Sequence, residues 1–167
     1  MIDPIAPEIK TTVPTIERTK PILNTIEIKV RYGETDAMAI AHHGSYLGWL
    51  EAGRVELMRQ MGQSYKEMEK NGVNLPVIEA RLRYLKPARF EDTLSIETSC
   101  ISLTKTRVIF GYNLLKKDEL LAHGYTVHAA LGPKNKPIRI PDKLHKLLTN
   151  ILIPQNKTNN LRWAFNE

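Results

Sequence analysis

The sequence predicts an α+β domain in which an antiparallel sheet wraps around one long central helix. Two observations carry this. A strictly alternating segment near residue 26 is followed by a long stretch of helical period, and that stretch by segments of period two separated by short breaks. A strand, one long helix and then a meander of strands is an α+β order. At 167 residues the chain has the size of one domain with a single real core.

The elements follow in order. Residues 1–23 carry Pro4, Pro7, Pro14 and Pro21, which suit an extended N-terminal arm better than a helix or a central strand. The domain proper is expected over residues 24–150. Residues 24–32, "NTIEIKVRY", place Ile26, Ile28 and Val30 on one face and Glu27, Lys29 and Arg31 on the other, a half-buried strand. A helix is expected over residues 45–61, where Leu47, Leu50, Leu57 and Met61 recur at helical spacing and Tyr46, Trp49 and Met58 widen the apolar face. Ser45 is the expected N-cap and Gly62 the expected stop. Gly48 and Gly53 each cost about 1 kcal/mol relative to alanine inside a helix, which predicts close approach of another backbone.

A short amphipathic helix, "SYKEMEKNG", ends at Gly72. Strands are then expected over residues 74–90, 92–106, 107–117 and 119–132, with "KKDE" as a hairpin turn. Pro141 opens a last short helix, "PDKLHKLLTN", with proline in its first turn, and residues 151–167 form a tail. A single sheet of this size leaves a face or an edge open, so self-association as a dimer or tetramer is expected.

A net charge of +6 and a pI near 9.4 give a surface that attracts anions: nucleic acid, anionic lipid or phosphorylated small molecules. No helix-turn-helix, zinc module or aromatic-rich RNA-binding strand is present, which argues against nucleic acid. No apolar run reaches the ~18 residues of a membrane span. The segment "MIDPIAPEIK" lacks a basic region followed by an apolar one, so secretion is not expected. Cys100 is the only cysteine, which rules out an intramolecular disulfide and points to a reducing, cytoplasmic setting. Its strand-like surroundings make it an inert buried thiol.

Several chemistries are absent. There is no Gly-x-Ser-x-Gly elbow, no phosphate-binding loop, no dinucleotide fingerprint and no His-Glu-x-x-His. The adjacent His42 and His43 cannot easily share one metal, and His123, His128 and His145 are not spaced as helical ligand pairs, so no metal centre is expected. His123 and His128 read as ordinary strand residues of opposite facing.

Asp36 lies just past a strand and just before a helix N-terminus, where unpaired N–H groups favour negative charge. Such a helix start can hold a developing oxyanion, and a nearby carboxylate can act as general base or nucleophile. On local pattern alone, Asp36 reads first as a residue capping a turn, with the catalytic role as the alternative.

The stretch "TDAMAIAHHGSYLGWLEAGR" resembles the active-site signature of the 4-hydroxybenzoyl-CoA thioesterase family, acyl-CoA thioesterases of the hotdog fold. Thr35 and Asp36 match its opening, Ile40 its branched position, His43 its aromatic-or-His position and Tyr46 its closing tyrosine. Glu51 and Arg54 match the acid and arginine of the following helix, and "YLKPARFEDTLSIET" resembles a second landmark. Ala39 stands where the family has glycine and Ala41 where it has valine; if that glycine sits at positive φ, Ala39 is strained.

The resemblance implies a hotdog fold and hydrolysis of an acyl-CoA thioester, with coenzyme A as part of the substrate and no cofactor required. It implies Asp36 as the catalytic carboxylate and the His43 N–H as oxyanion donor, with the His43 side chain in an accessory role. Tyr46 and Glu51 would line or brace the acyl pocket at a dimer interface, although Glu51 and Arg54, three residues apart, also read as a structural ion pair. Arg81, Arg83, Lys86 and Arg89 would meet the phosphates of coenzyme A, or else form a solvated strand face. A non-catalytic acyl-CoA-binding protein and a hotdog dehydratase or hydratase are the alternatives.

Overall fold

The computed structural model describes residues 24–153. The N-terminal arm expected over residues 1–23, and the tail beyond residue 153, lie outside the described residues.

The chain runs β1 (Asn24–Lys29), α1 (His43–Gln60), α2 (Tyr65–Lys70), β2 (Val77–Tyr84), β3 (Thr93–Leu103), β4 (Arg107–Lys116), β5 (Glu119–Ala129) and α3 (Asp142–Asn150). The five strands form one antiparallel sheet in the order β1-β3-β4-β5-β2. β3, β4 and β5 are joined by short turns, as their period-two pattern demands. The hairpin between β4 and β5 turns at Lys117, whose φ of 55° supplies the left-handed residue a tight turn needs. Among the described residues, β1 and β2 are the sheet edges.

The core lies between α1 and the concave face of the sheet. Trp49, Leu50, Leu57 and Met58 of α1 pack with Ile96, Phe110, Tyr112 and Leu114 of the central strands. Burying a side chain of this size contributes about 1.5–3 kcal/mol, so this layer supplies most of the driving force for the fold. A smaller cluster, Ile101, Ile109, Tyr125 and Val127, covers the opposite face with Ile153. Cys100 is buried and its thiol is pushed up to about 12 by that burial, an inert group.

Several local expectations are corrected. α1 begins at His43, two residues before the expected start, and its N-cap is His42, whose Nδ1 accepts from the Gly44 N–H at 3.1 Å. Ser45 instead donates its hydroxyl to the Glu34 carbonyl at 3.1 Å. Leu47, expected on the apolar face, is 47% exposed; the buried stripe runs through Tyr46, Leu50, Gly53, Arg54 and Leu57. Gly62 does mark the stop, at φ 73°.

Gly53 is required by a side chain rather than by a backbone, since a Cβ there would lie 2.5 Å from Thr98 Oγ1. At Gly48 nothing among the described residues lies within 4 Å of such a Cβ. Pro141 caps α3 from outside, one residue before the helix. β2 is shorter than its pattern, because residues 85–92 leave the sheet as a loop.

Candidate active site

The loop between β1 and α1 folds back on itself. Asp36 donates its N–H to the Ile40 carbonyl at 2.9 Å and accepts from the Ala39 N–H at 2.9 Å. Its side-chain Oδ1 accepts from the Met38 N–H at 2.8 Å, an Asx turn that fixes the carboxylate by one oxygen. Oδ2 has no hydrogen-bond partner among the described residues. Asp36 therefore does cap a turn, and the capping leaves half of its carboxylate unspent.

Ala39 takes φ 56°, the left-handed region that the family's glycine would occupy without strain. Its carbonyl accepts from Arg89 Nη1 at 3.4 Å, which ties the loop to the segment after β2. Ala41, in place of the family's valine, is buried and donates its N–H to the Ala88 carbonyl at 2.8 Å.

At the start of α1 the backbone donors are unevenly used. His42 serves two of them: Nδ1 accepts from Gly44 and the carbonyl from the Ser45 N–H at 2.9 Å. The His43 N–H, in the first helical position, has no partner inside the helix and none elsewhere among the described residues. His42 and His43 stack at 4.1 Å between ring centroids.

These groups meet in one cleft of about 440 Å3. Asp36, Ile40 and His43 line one side, Tyr46 lies at the buried base, and Tyr84 and Lys86 come from the end of β2 and the loop after it. Tyr46 is held by its hydroxyl, which accepts from the Ala88 N–H at 3.4 Å, and by edge contact with Tyr84 at 4.9 Å. Burial raises its phenol above the ordinary value, so it stays neutral.

Glu34, which no sequence motif marks, braces the site. Its carboxylate accepts from Arg31 Nη2 at 2.8 Å and Trp49 Nε1 at 3.1 Å, and its carbonyl from the His42 N–H at 2.7 Å. Burial works against its charge, but the bonds from Arg31 and Trp49 outweigh it and hold the carboxyl below its ordinary value. The spacing of Arg31 and Glu34 was the available signal; the reach to Trp49 was not.

The remaining expected residues are divided. Glu51 is not in this cleft; within the chain it lines a second cavity. Nor does it pair with Arg54, whose guanidinium goes to the Tyr65 and Tyr112 hydroxyls at 3.0 and 3.3 Å. Glu51 is exposed and Arg54 buried, so an ion pair would strip water from the carboxylate as well. The four basic residues do not form one patch. Leu82 packs on the core, so Arg81 and Arg83 lie on the other face of β2, opposite Tyr125 and His123 of β5. Lys86 lines the cleft and bonds Glu119, and Arg89 reaches the cleft loop at Ala39. No group of acidic, histidine and cysteine side chains suited to a metal exists among the described residues, and none of their helices is long and apolar enough to cross a membrane.

Comparison with known proteins agrees with this architecture. Residues 30–148 match the family model described as the Thioesterase-like superfamily. A Bacillus subtilis relative named "Putative acyl-CoA thioesterase YneP" is 39% identical over 115 residues, covering 68% of this chain and 83% of the relative. The acyl-CoA thioester hydrolase YbgC of Escherichia coli O6:H1 is 28% identical over 119 residues, covering 70% and 89%. The crystal structure of a DHNA-CoA thioesterase from Staphylococcus aureus superimposes with a TM-score of 0.73 at 26% identity, over 86% of this chain and 95% of that one. The chain belongs to the Thioesterase-like superfamily and has its hotdog fold, with the Asp36 loop and the start of α1 at one end of the sheet's edge strand.

Proposed function

We propose that this protein hydrolyses the thioester of a small acyl-CoA to the free acid and coenzyme A. One observation carries the reading: a carboxylate with one oxygen pinned and the other unspent shares a cleft with the unspent N–H of His43. The first supplies a base or nucleophile and the second an oxyanion donor, the pair that thioester hydrolysis needs. The names of the relatives support the same substrate class.

The steps balance without a cofactor. As general base, Asp36 takes a proton from water while the water oxygen bonds to the thioester carbon, and the carbonyl oxygen gathers charge at the His43 N–H. The C–S bond then breaks, and the proton on Asp36 passes to the departing thiolate. As nucleophile, Asp36 forms a mixed anhydride with loss of the thiolate, and water then cleaves the anhydride. Lys86 and Arg89, the basic residues beside the cleft, would meet the phosphates of coenzyme A. Arg81 and Arg83, on the outer face, would not reach the same ligand.

Self-association belongs to the same reading. Among the described residues β2 is an edge strand with exposed Val77, Ile78 and Tyr84, an apolar border that a second copy would cover. Antiparallel pairing about a two-fold sets the Val77 end of one copy's strand against the Tyr84 end of the other's. The cavity bearing Glu51 would then border the neighbour's Asp36 cleft, which returns Glu51 to the acyl pocket.

A thiol-release assay over a panel of aromatic and short to medium aliphatic acyl-CoAs tests the proposal. Release by the wild type that is abolished by Asp36→Asn supports hydrolysis. Tight acyl-CoA binding with no thiol released overturns it in favour of a thioester sensor.

A further inference from the structure

The three central strands are buried without a break, over residues 96–102 of β3, 108–115 of β4 and 121–128 of β5. Successive side chains on a strand point to opposite faces, so unbroken burial means that both faces of the sheet are covered. α1 covers the inner face. On the outer face Ile101, Ile109, Tyr125 and Val127 are each no more than 2% exposed. Among the described residues, Ile153 is the one apolar side chain from outside the sheet that packs on them. A single isoleucine is too small to cover a surface three strands wide.

This burial is reached within a single chain, so a second copy does not supply it. The covered strip is also narrow. Thr25, Glu27 and Lys29 on the outer side of β1 are exposed, and so is Arg83 on that of β2. What remains is two strand spacings across, about 10 Å, the width of one extended segment rather than of a second sheet. The chain leaving α3 is already delivered to this strip. Leu152 bridges in parallel to Cys100, and the Ile153 N–H donates to the Cys100 carbonyl at 3.0 Å. Pro154 has no N–H and ends such pairing.

We propose that residues 154–167 fold back over the outer face of the sheet, with Leu161, Trp163 and Phe165 packed against Ile109, Tyr125 and Val127. In "LRWAF" these three apolar residues recur at period two, so an extended segment presents all of them to one side. The eight residues from Pro154 to Leu161 reach up to about 28 Å, ample for the strip. Each aromatic ring buries about 150–250 Å2, which suits a patch of four apolar side chains. Residues 1–23 are the poorer occupant. They contain no aromatic residue, and the strand they lead into has its outer positions exposed. Covered in this way, the outer face is closed to a second copy, and the β2 border is left for association. Nothing in this proposal requires the chain to hydrolyse thioesters.

The test is a NOESY spectrum of the full chain with its isoleucine and valine methyls 13C-labelled. Cross-peaks from the Trp163 and Phe165 ring protons to the Ile109 and Val127 methyls are expected, and the Trp163 set should be lost in Trp163→Ser. An isotope-filtered spectrum of mixed labelled and unlabelled chains should show none of them, because the contact lies within one chain. Deleting residues 154–167 should uncover the patch and raise the fluorescence of the apolar dye ANS above that of the full chain. The wild-type cross-peaks give the answer even if the shortened chain fails to fold. Cross-peaks from these methyls to residues 1–23 in place of Trp163 and Phe165, cross-peaks found between chains, or equal ANS fluorescence from the two chains would each overturn the assignment. So would the absence of any cross-peak to the two rings.

Discussion

The two ends of β2 hold their polar groups in opposite states. Beside Tyr84, the Asp36 loop and the helix start leave a carboxylate oxygen and a backbone N–H unspent at a partly exposed cleft. Beside Val77, the chain from Arg54 through Tyr112, Thr126 and His128 is bonded at every step inside the core. Unspent groups can interact with a substrate, but they contribute little to stability. Committed buried groups stabilise one arrangement and leave large costs when a link is removed. Activity should therefore be lost at the first end with the fold intact, and stability at the second.

The largest expected stability effect is the pH dependence that His128 imposes. Its folded-state value lies well below its ordinary one, so the unfolded chain takes up a proton that the native ring refuses. Stability should therefore fall as pH drops from about 6.5 to about 4, by on the order of 3 kcal/mol in all. Urea unfolding from pH 7 to pH 4 measures this; a wild type with the same slope as His128→Gln contradicts it. Tyr112→Phe comes next, since it removes an acceptor from Arg54 and a donor to Thr126 at one stroke. A loss of about 2 kcal/mol at pH 7 is expected from denaturant midpoints.

Gly53→Ala should cost about 1–2 kcal/mol, because the new methyl meets Thr98 Oγ1 in a packed layer and outweighs the gain in helix propensity. Thr98→Ala in the same chain should relieve most of that cost. The smallest effect is the one of opposite sign. Ala39→Gly removes left-handed strain from the cleft loop and should raise stability by about 1 kcal/mol.

How much was legible divides along the same line. β1, α1 and the run β3 to β5 follow from period, since one-sided burial writes itself into alternation. The Asp36 cleft was legible as a motif, and Asp36, His43 and Tyr46 do line one cleft. The sequence points to Ser45 as N-cap because a hydroxyl is the commoner cap, whereas the His42 imidazole caps α1 and Ser45 turns to Glu34. The second cavity was not legible. Helical spacing pairs Arg54 with Glu51, but its partners come from α2 and β4, far along the chain. Proximity in sequence groups Arg81 and Arg83 with Lys86 and Arg89, while the pleat of β2 sends the first pair to the other face.

The central claim is that the free oxygen of the Asp36 carboxylate does the chemistry while its partner oxygen only holds the loop. Thiol release by Asp36→Asn, on whichever acyl-CoA the wild type turns over fastest, tests it most directly, because asparagine can still accept from the Met38 N–H. A fall in kcat of about 10²–10⁴-fold, with acyl-CoA affinity and unfolding midpoint unchanged, is the predicted result. Turnover within a few-fold of the wild type would contradict it.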